Sequence, residues 1–122
     1  MSVKEQIAKA VAAHSFWKVR LQQALVARKV DVPAATARRD DACEFGKWLR
    51  QSGPDVRASE HHRKASELHA RFHEAVGNCV HEIEAGHIEQ ARRVLEGDVM
   101  ARSTDLTREM IAWNKEVDKQ PS

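Results

Sequence analysis

Residues 65–85 read ASELHARFHEAVGNCVHEIEA, and their periodicity decides the fold. Ala65, Leu68, Phe72, Val76, Cys79, Val80 and Ile83 recur at spacings of three and four, which is one face of an α-helix. His69 and His73 border that face. No proline occurs from Asp55 to Gln120, so a long helix can run there. The pattern predicts a helix from Asp55 or a later residue to about Ala85, with Gly86 as its C-cap.

The same period recurs on both sides. Ile88, Ala91, Leu95, Val99, Leu106, Met110, Trp113 and Val117 predict a helix from Ile88 to Asp118, with a bend at Gly97 or at Ser103-Thr104. Val3, Ile7, Val11, Trp17, Leu21 and Leu25 predict a helix from Ser2, its N-cap, to near Lys29. His14 falls in that series and so faces the core. A linker at Val30 to Thr36 holds Pro33. A shorter helical segment is expected from Ala37 to Gln51, with Phe45, Trp48 and Leu49 as its apolar contacts and Cys43 in or just before its middle. Ser52-Gly53-Pro54 ends it; the third proline is Pro121. Amphipathic helices bury their stripes only against one another. The expected fold is all-α: one domain over residues 1–122, an antiparallel four-helix bundle with a short extra helical segment carrying Cys43.

Composition agrees and excludes several classes. Apolar residues are 42% and charged residues 31% of the 122, a globular balance. Five Gly, three Pro and no Tyr argue against an all-β sandwich. Two Cys are too few for a disulfide scaffold, whereas seven His justify a search for a metal site. The net charge is +2, and Arg38-Arg39 is neutralised at once by Asp40-Asp41. No sustained basic stripe marks a nucleic-acid surface. No window approaches the ~20 apolar residues of a membrane span. Met1 to Gln6 carries Glu5 and no apolar core, so no signal peptide is expected. The expected compartment is the cytoplasm, where Cys43 and Cys79 are free thiols, metal ligands or packed small groups.

His69 and His73 form an H-x-x-x-H pair, and on a helix residues i and i+4 lie one above the other, within reach of one ion. Alone the spacing is common in a His-rich chain. His14 adds an imidazole on an apolar face, costly to bury unpaired, and Cys43 adds a thiol, a strong zinc ligand once ionised. Three imidazoles and one thiolate complete a tetrahedral shell of the kind zinc favours. The blander alternatives stay open at this point: His14 bonded to a backbone carbonyl, Cys43 as a packed apolar group.

Three pieces of sequence, in order, resemble the chemoreceptor zinc-binding domain, a bacterial cytoplasmic module. His14-Ser15-Phe16-Trp17 matches its H-x-x-W. Cys43-Glu44-Phe45-Gly46-Lys47-Trp48 matches its C-x-F/L-G-x-W/F. His69-Ala70-Arg71-Phe72-His73 matches its H-x-x-F-H. The resemblance implies that His14, Cys43, His69 and His73 hold one zinc ion. Trp17 then shields the site, and Gly46 lets a neighbouring helix approach. For Trp17, Phe45, Trp48 and Phe72, ordinary core packing accounts for their energetics. His62 lies seven residues from His69, about 10 Å along the axis, and is expected at the rim. His61, His81 and His87 are expected on the surface or at caps, and Cys79 in the core.

No enzyme activity is expected. Four protein ligands leave zinc no open position, Ala70 stands where zinc proteases carry Glu, and no phosphate loop or nucleophile elbow occurs. A closed site is a cross-link, and its thiolate at Cys43 is the form that oxidants attack. The resemblance implies a sensory role: relatives are attached to chemoreceptors or diguanylate cyclases and report zinc or oxidants such as hypochlorous acid. This chain shows no such output segment and is expected to act through a signalling partner, through its own oligomer, or as a zinc store. A homodimer through Val19 and Val26 is one form. Two rivals stand beside this reading. One is a metal-free helical interaction module. The other is a hemerythrin-like di-iron or oxygen-binding bundle, whose H-x-x-x-E and H-x-x-x-x-D pairs are absent; Glu84 and His87 form the single E-x-x-H, interrupted by Gly86.

Overall fold

A computed structural model describes residues 2–119; Met1, Pro121 and the end of the proposed domain lie outside the described residues. The chain is all-α, with no strand among the described residues. Helix α1 spans Val3–Ala27, and the Ser2 side chain caps it by accepting from the Glu5 amide. A turn of helix, α2 (Ala34–Ala37), follows Pro33, and α3 covers Glu44–Gln51. A second single turn, α4 (Pro54–Arg57), precedes α5 (Glu60–Glu84), which Ser59 caps through the His61 amide. Helix α6 (Ile88–Val94) passes through a π-helical turn at Leu95–Val99 into α7 (Met100–Lys119). Of the two places where a bend is expected, Gly97 lies in this π turn and Ser103-Thr104 lies inside α7.

Side-chain pairings fix the directions. Lys4 at the start of α1 meets Asp118 at the end of α7, 2.7 Å apart. His61 at the start of α5 meets Glu109 and Glu116 on α7, each at 2.6 Å. Helix α7 therefore runs antiparallel to α1 and α5. Between α1 and α5 the chain descends: Ala37 touches His73, and Leu49 touches His62, nearer the start of α5. The result is an up-down-up-down bundle whose second member is the broken segment α2–α3–α4. Ile7, Leu21, Phe72, Val76, Val80, Val99, Leu106 and Met110 form its core, each almost fully buried.

Three boundaries depart from expectation. The helix expected from Ala37 begins only at Glu44, and Cys43 is its N-cap residue. Pro33 and Pro54 each open a helical turn, as their fixed φ suits the first turn of a helix. Gly86 lies one residue beyond the cap, at φ 81°. There its amide donates to Ile83 and that of His87 to Glu82, the paired bonds that close a helix around a left-handed residue. No helix among the described residues is long and apolar enough to cross a membrane.

Candidate metal centre

Four residues from three segments converge at mid-bundle. Helix α1 supplies His14, α5 supplies His69 and His73 one turn apart, and the residue before α3 supplies Cys43. Their ligand atoms all lie within 4.8 Å of one another. Zn–N bonds near 2.0 Å and a Zn–S bond near 2.3 Å place tetrahedral donors roughly 3.3–3.7 Å apart, so the cluster is close to that size. Cys43 Sγ is 3.2 Å from His69 Nε2 and 3.9 Å from His14 Nε2.

Hydrogen bonds orient two of the rings. His14 Nδ1 lies 2.6 Å from the Ala10 carbonyl, and His73 Nδ1 lies 3.0 Å from that of Ala37. A carbonyl only accepts, so each Nδ1 carries the hydrogen and each Nε2 keeps a free lone pair. His73 Nε2 is buried with no partner, and so is His69 Nδ1. Burying such atoms unpaired costs about 1–3 kcal/mol each. The unpartnered lone pair of His73 Nε2, next to a thiol, is what a soft or borderline cation completes; His69 faces the thiol through Nε2.

Electrostatics point the same way. His14, His69 and His73 are 4%, 0% and 2% exposed, so water is excluded from the imidazoles. Burial drives His14 down to about 4, and burial with the neighbouring His14 and His73 drives His69 to about 2. Burial lowers His73 as well, against the pull of the Ala37 bond. All three are held as neutral ligands. Burial raises the Cys43 thiol, while the amides of Gly46 and Phe45 at the start of α3 pull it back. A cation at the site would tip that balance to thiolate.

Aromatic rings wall the cluster. Phe72 and Phe45 stand edge-on to His14, with centroids at 5.3 and 5.9 Å, and Trp17 stands edge-on to His73 at 6.2 Å. Trp48 is a second layer, stacked on Phe45 at 5.8 Å and tilted on Trp113 at 5.6 Å. Gly46 does permit a close approach, though by a turn rather than a helix. A Cβ there would fall 1.7 Å from the Asp40 carbonyl oxygen.

The remaining histidines hold the frame. His62 is half-buried, and its Nε2 donates to the Leu49 carbonyl at 2.8 Å, tying down the end of α3. His61, expected on the surface, is clasped between Glu109 and Glu116. His87 pairs with Glu82 at 3.0 Å. Cys79 is fully buried in the core, where burial raises its thiol to about 11. The carbonyls of Ala10 and Ala37 escaped sequence reasoning, because a backbone acceptor has no residue signature. Gly77 was legible in principle: an interior helix glycine signals close approach, and here a Cβ would fall 2.0 Å from Arg38 Cγ.

No carboxylate belongs to the one metal-ligating cluster among the described residues, so a bridged di-iron centre finds no bridge. A family model described as the chemoreceptor zinc-binding domain matches residues 14–80, a span that opens on His14 and includes Cys43, His69 and His73. No curated protein and no solved structure matches the chain.

Proposed function

The chain belongs to the chemoreceptor zinc-binding domain family, and on that premise we propose that His14, Cys43, His69 and His73 hold one zinc ion in a closed site with a regulatory, non-enzymatic role. The observation that carries this reading is the pair of oriented imidazoles whose free lone pairs meet a thiol in a buried space. Zinc bound there supplies positive charge that keeps Cys43 as thiolate. Four protein ligands leave no position for substrate, which supports a sensor or cross-link over a catalyst. Helices α6 and α7 pack on α5 and α1, which supports reading residues 1–122 as a single zinc-binding domain.

Cys43 is the residue through which an oxidant is sensed. Its thiolate reacts with hypochlorous acid to give a sulfenic acid and chloride, the sulfur losing two electrons and the chlorine gaining them. A sulfenic acid is a poorer ligand than a thiolate, so α3 is released while α1 and α5 stay packed. Zinc scarcity would reach the same state by emptying the site. The output passes to a signalling protein of the chemoreceptor or diguanylate cyclase type. Phe16, Val19 and Val26 leave apolar surface on α1, which supports a homodimer there.

Elemental analysis of protein purified without chelators tests the site. About one equivalent of zinc is expected, and its loss in His14→Ala. Less than about half an equivalent in the natural sequence overturns the metal assignment. Stoichiometric hypochlorous acid should then release the zinc and lower helix content. A Cys43→Ser variant that retains zinc and responds as the natural sequence does would remove the redox role.

A further inference from the structure

The four site residues are not equally shut away. The three imidazoles are almost fully buried, whereas Cys43 is only half-buried. Between α1 and the start of α3 lies a cavity of about 360 Å³, walled by Ala10, Ala13 and Trp17 on one side and Phe45 on the other. His14 and Cys43 line it, and His69 and His73 do not. Aromatic rings and the core close the site elsewhere: Phe72 lies against His14 and His73, and Phe45 against His69.

From this asymmetry we propose that the α1–α3 cavity is the passage by which small reagents reach the centre, and that they reach the Cys43 sulfur first. It admits compact two-electron oxidants of the hypochlorous acid class, and small chelating or thiol ligands that exchange the metal. Its walls are mainly apolar, with Lys9 and Gln6 on the α1 side and Glu44 on the α3 side, so a neutral molecule enters at a lower desolvation cost than an ion. The volume lies within the range of small-ligand sites and far below what a folded protein surface requires. Access then follows from the sequence at one position. Ala13 is an exposed alanine that lines the cavity, one residue before His14 in sequence. A longer side chain there narrows the passage without entering the core.

The inference deepens the proposed sensing role and rests on Cys43 being its reactive group, and the test separates the two. Ala13→Leu and Ala13→Trp are compared with the natural sequence; helix propensity changes little at this exposed site. In protein as purified, with no metal stripped, the rate of Cys43 alkylation by iodoacetamide is followed by peptide mass mapping, with Cys79 as the buried control. In zinc-loaded protein, transfer of zinc to a small chromophoric chelator is followed alongside total zinc content. The passage predicts at least about a 10-fold slower alkylation of Cys43 in Ala13→Trp, a smaller slowing in Ala13→Leu, and the same order for zinc transfer at unchanged zinc content. Equal alkylation rates in all three overturn it. Zinc content is read separately from the alkylation rates: protein that holds no zinc as purified sinks the metal assignment, and in such protein α3 has no metal to lose, so the alkylation rates still judge the passage. If Ala13→Trp loses helix content, Ala13→Leu decides alone.

Discussion

Replacing Gly46 by alanine should damage the metal centre without touching a ligand. The added methyl would fall 1.7 Å from the Asp40 oxygen, 2.8 Å from its carbonyl carbon and 3.2 Å from His69 Cε1. Real Cβ atoms essentially never come within 3.0 Å of a neighbour, so the Asp40 carbonyl and α3 must separate by about 1.3 Å. The obstacle is backbone and has no rotamer to retreat into. Overpacking of this kind costs about 1–3 kcal/mol, which for a chain of this size lowers Tm by roughly 4–12 °C. Cys43 lies between Asp40 and Gly46 and must move with them, whereas a metal shell tolerates displacements of only about 0.2 Å. Zinc affinity should fall by about 10- to 100-fold, the usual effect of disturbing a ligand's support. Thermal unfolding at saturating zinc measures the first effect, and competition against a chromophoric chelator the second. Gly97→Ala is the control, since a methyl there meets nothing within 4 Å; it should be neutral or stabilising by about 1 kcal/mol. Natural stability and natural zinc affinity in Gly46→Ala would refute the claim that this close approach positions Cys43.

Two further outcomes are expected. His14 holds no proton in the folded metal-free chain until about pH 4, while an ordinary histidine gains one near 6.5. Between those values the unfolded chain binds the extra proton. Stability is therefore full above pH 6.5 and falls with pH toward 4, by roughly 3 kcal/mol from His14 alone. His69 and His73 shift in the same direction and steepen the fall. Urea midpoints from pH 7 to 5 read this in the metal-free protein, and a flat profile contradicts neutral buried imidazoles. Arg28, which follows α1, has φ 57°, a left-handed conformation that costs a side chain about 1 kcal/mol. Arg28→Gly should gain about 0.5–1 kcal/mol, since the added freedom of the unfolded chain offsets part of the relief. Zinc content should stay unchanged, and a loss of stability would show that the Arg28 side chain contributes more than its backbone costs.

The sequence was most legible where burial and local geometry agree. The apolar stripe of α5 is a one-dimensional record of its buried face, and Phe72, Val76, Val80 and Ile83 all lie in the core. His14 was placed inside by the same logic and is buried. The segment from Val30 to Ser59 was harder because its constraints are not local. Apolar residues at 37, 45, 48 and 49 suit a single helix. The chain instead breaks before Glu44, where the Asp40 carbonyl closes on Gly46 and Ala37 accepts from His73. Those contacts belong to the folded bundle. The stop expected at Ser52-Gly53-Pro54 holds, since α3 ends at Gln51, but Pro54 also opens a further helical turn, and Pro33, expected in a linker, heads another.

The division of the centre between rigid and light elements bears on how it would signal. His14, His69 and His73 sit on 25-residue helices whose packing buries Ile7, Leu21, Phe72 and Val76 with or without a metal. Removing the ion should leave those imidazoles near their positions, with His14 and His73 held by the Ala10 and Ala37 carbonyls. Cys43 precedes an eight-residue helix anchored by Phe45, Leu49 and the His62 bond to Leu49. A helix that short has little stability of its own and depends on tertiary contacts. Under the proposed reading, the metal–sulfur bond joins the lightest element of the bundle to its most rigid pair. Breaking it changes the state of α3 and the turn before it, while the long helices hold the site ready for reduction and reloading. A signal built this way is local and reversible, and a partner would read it on the α1–α3 face.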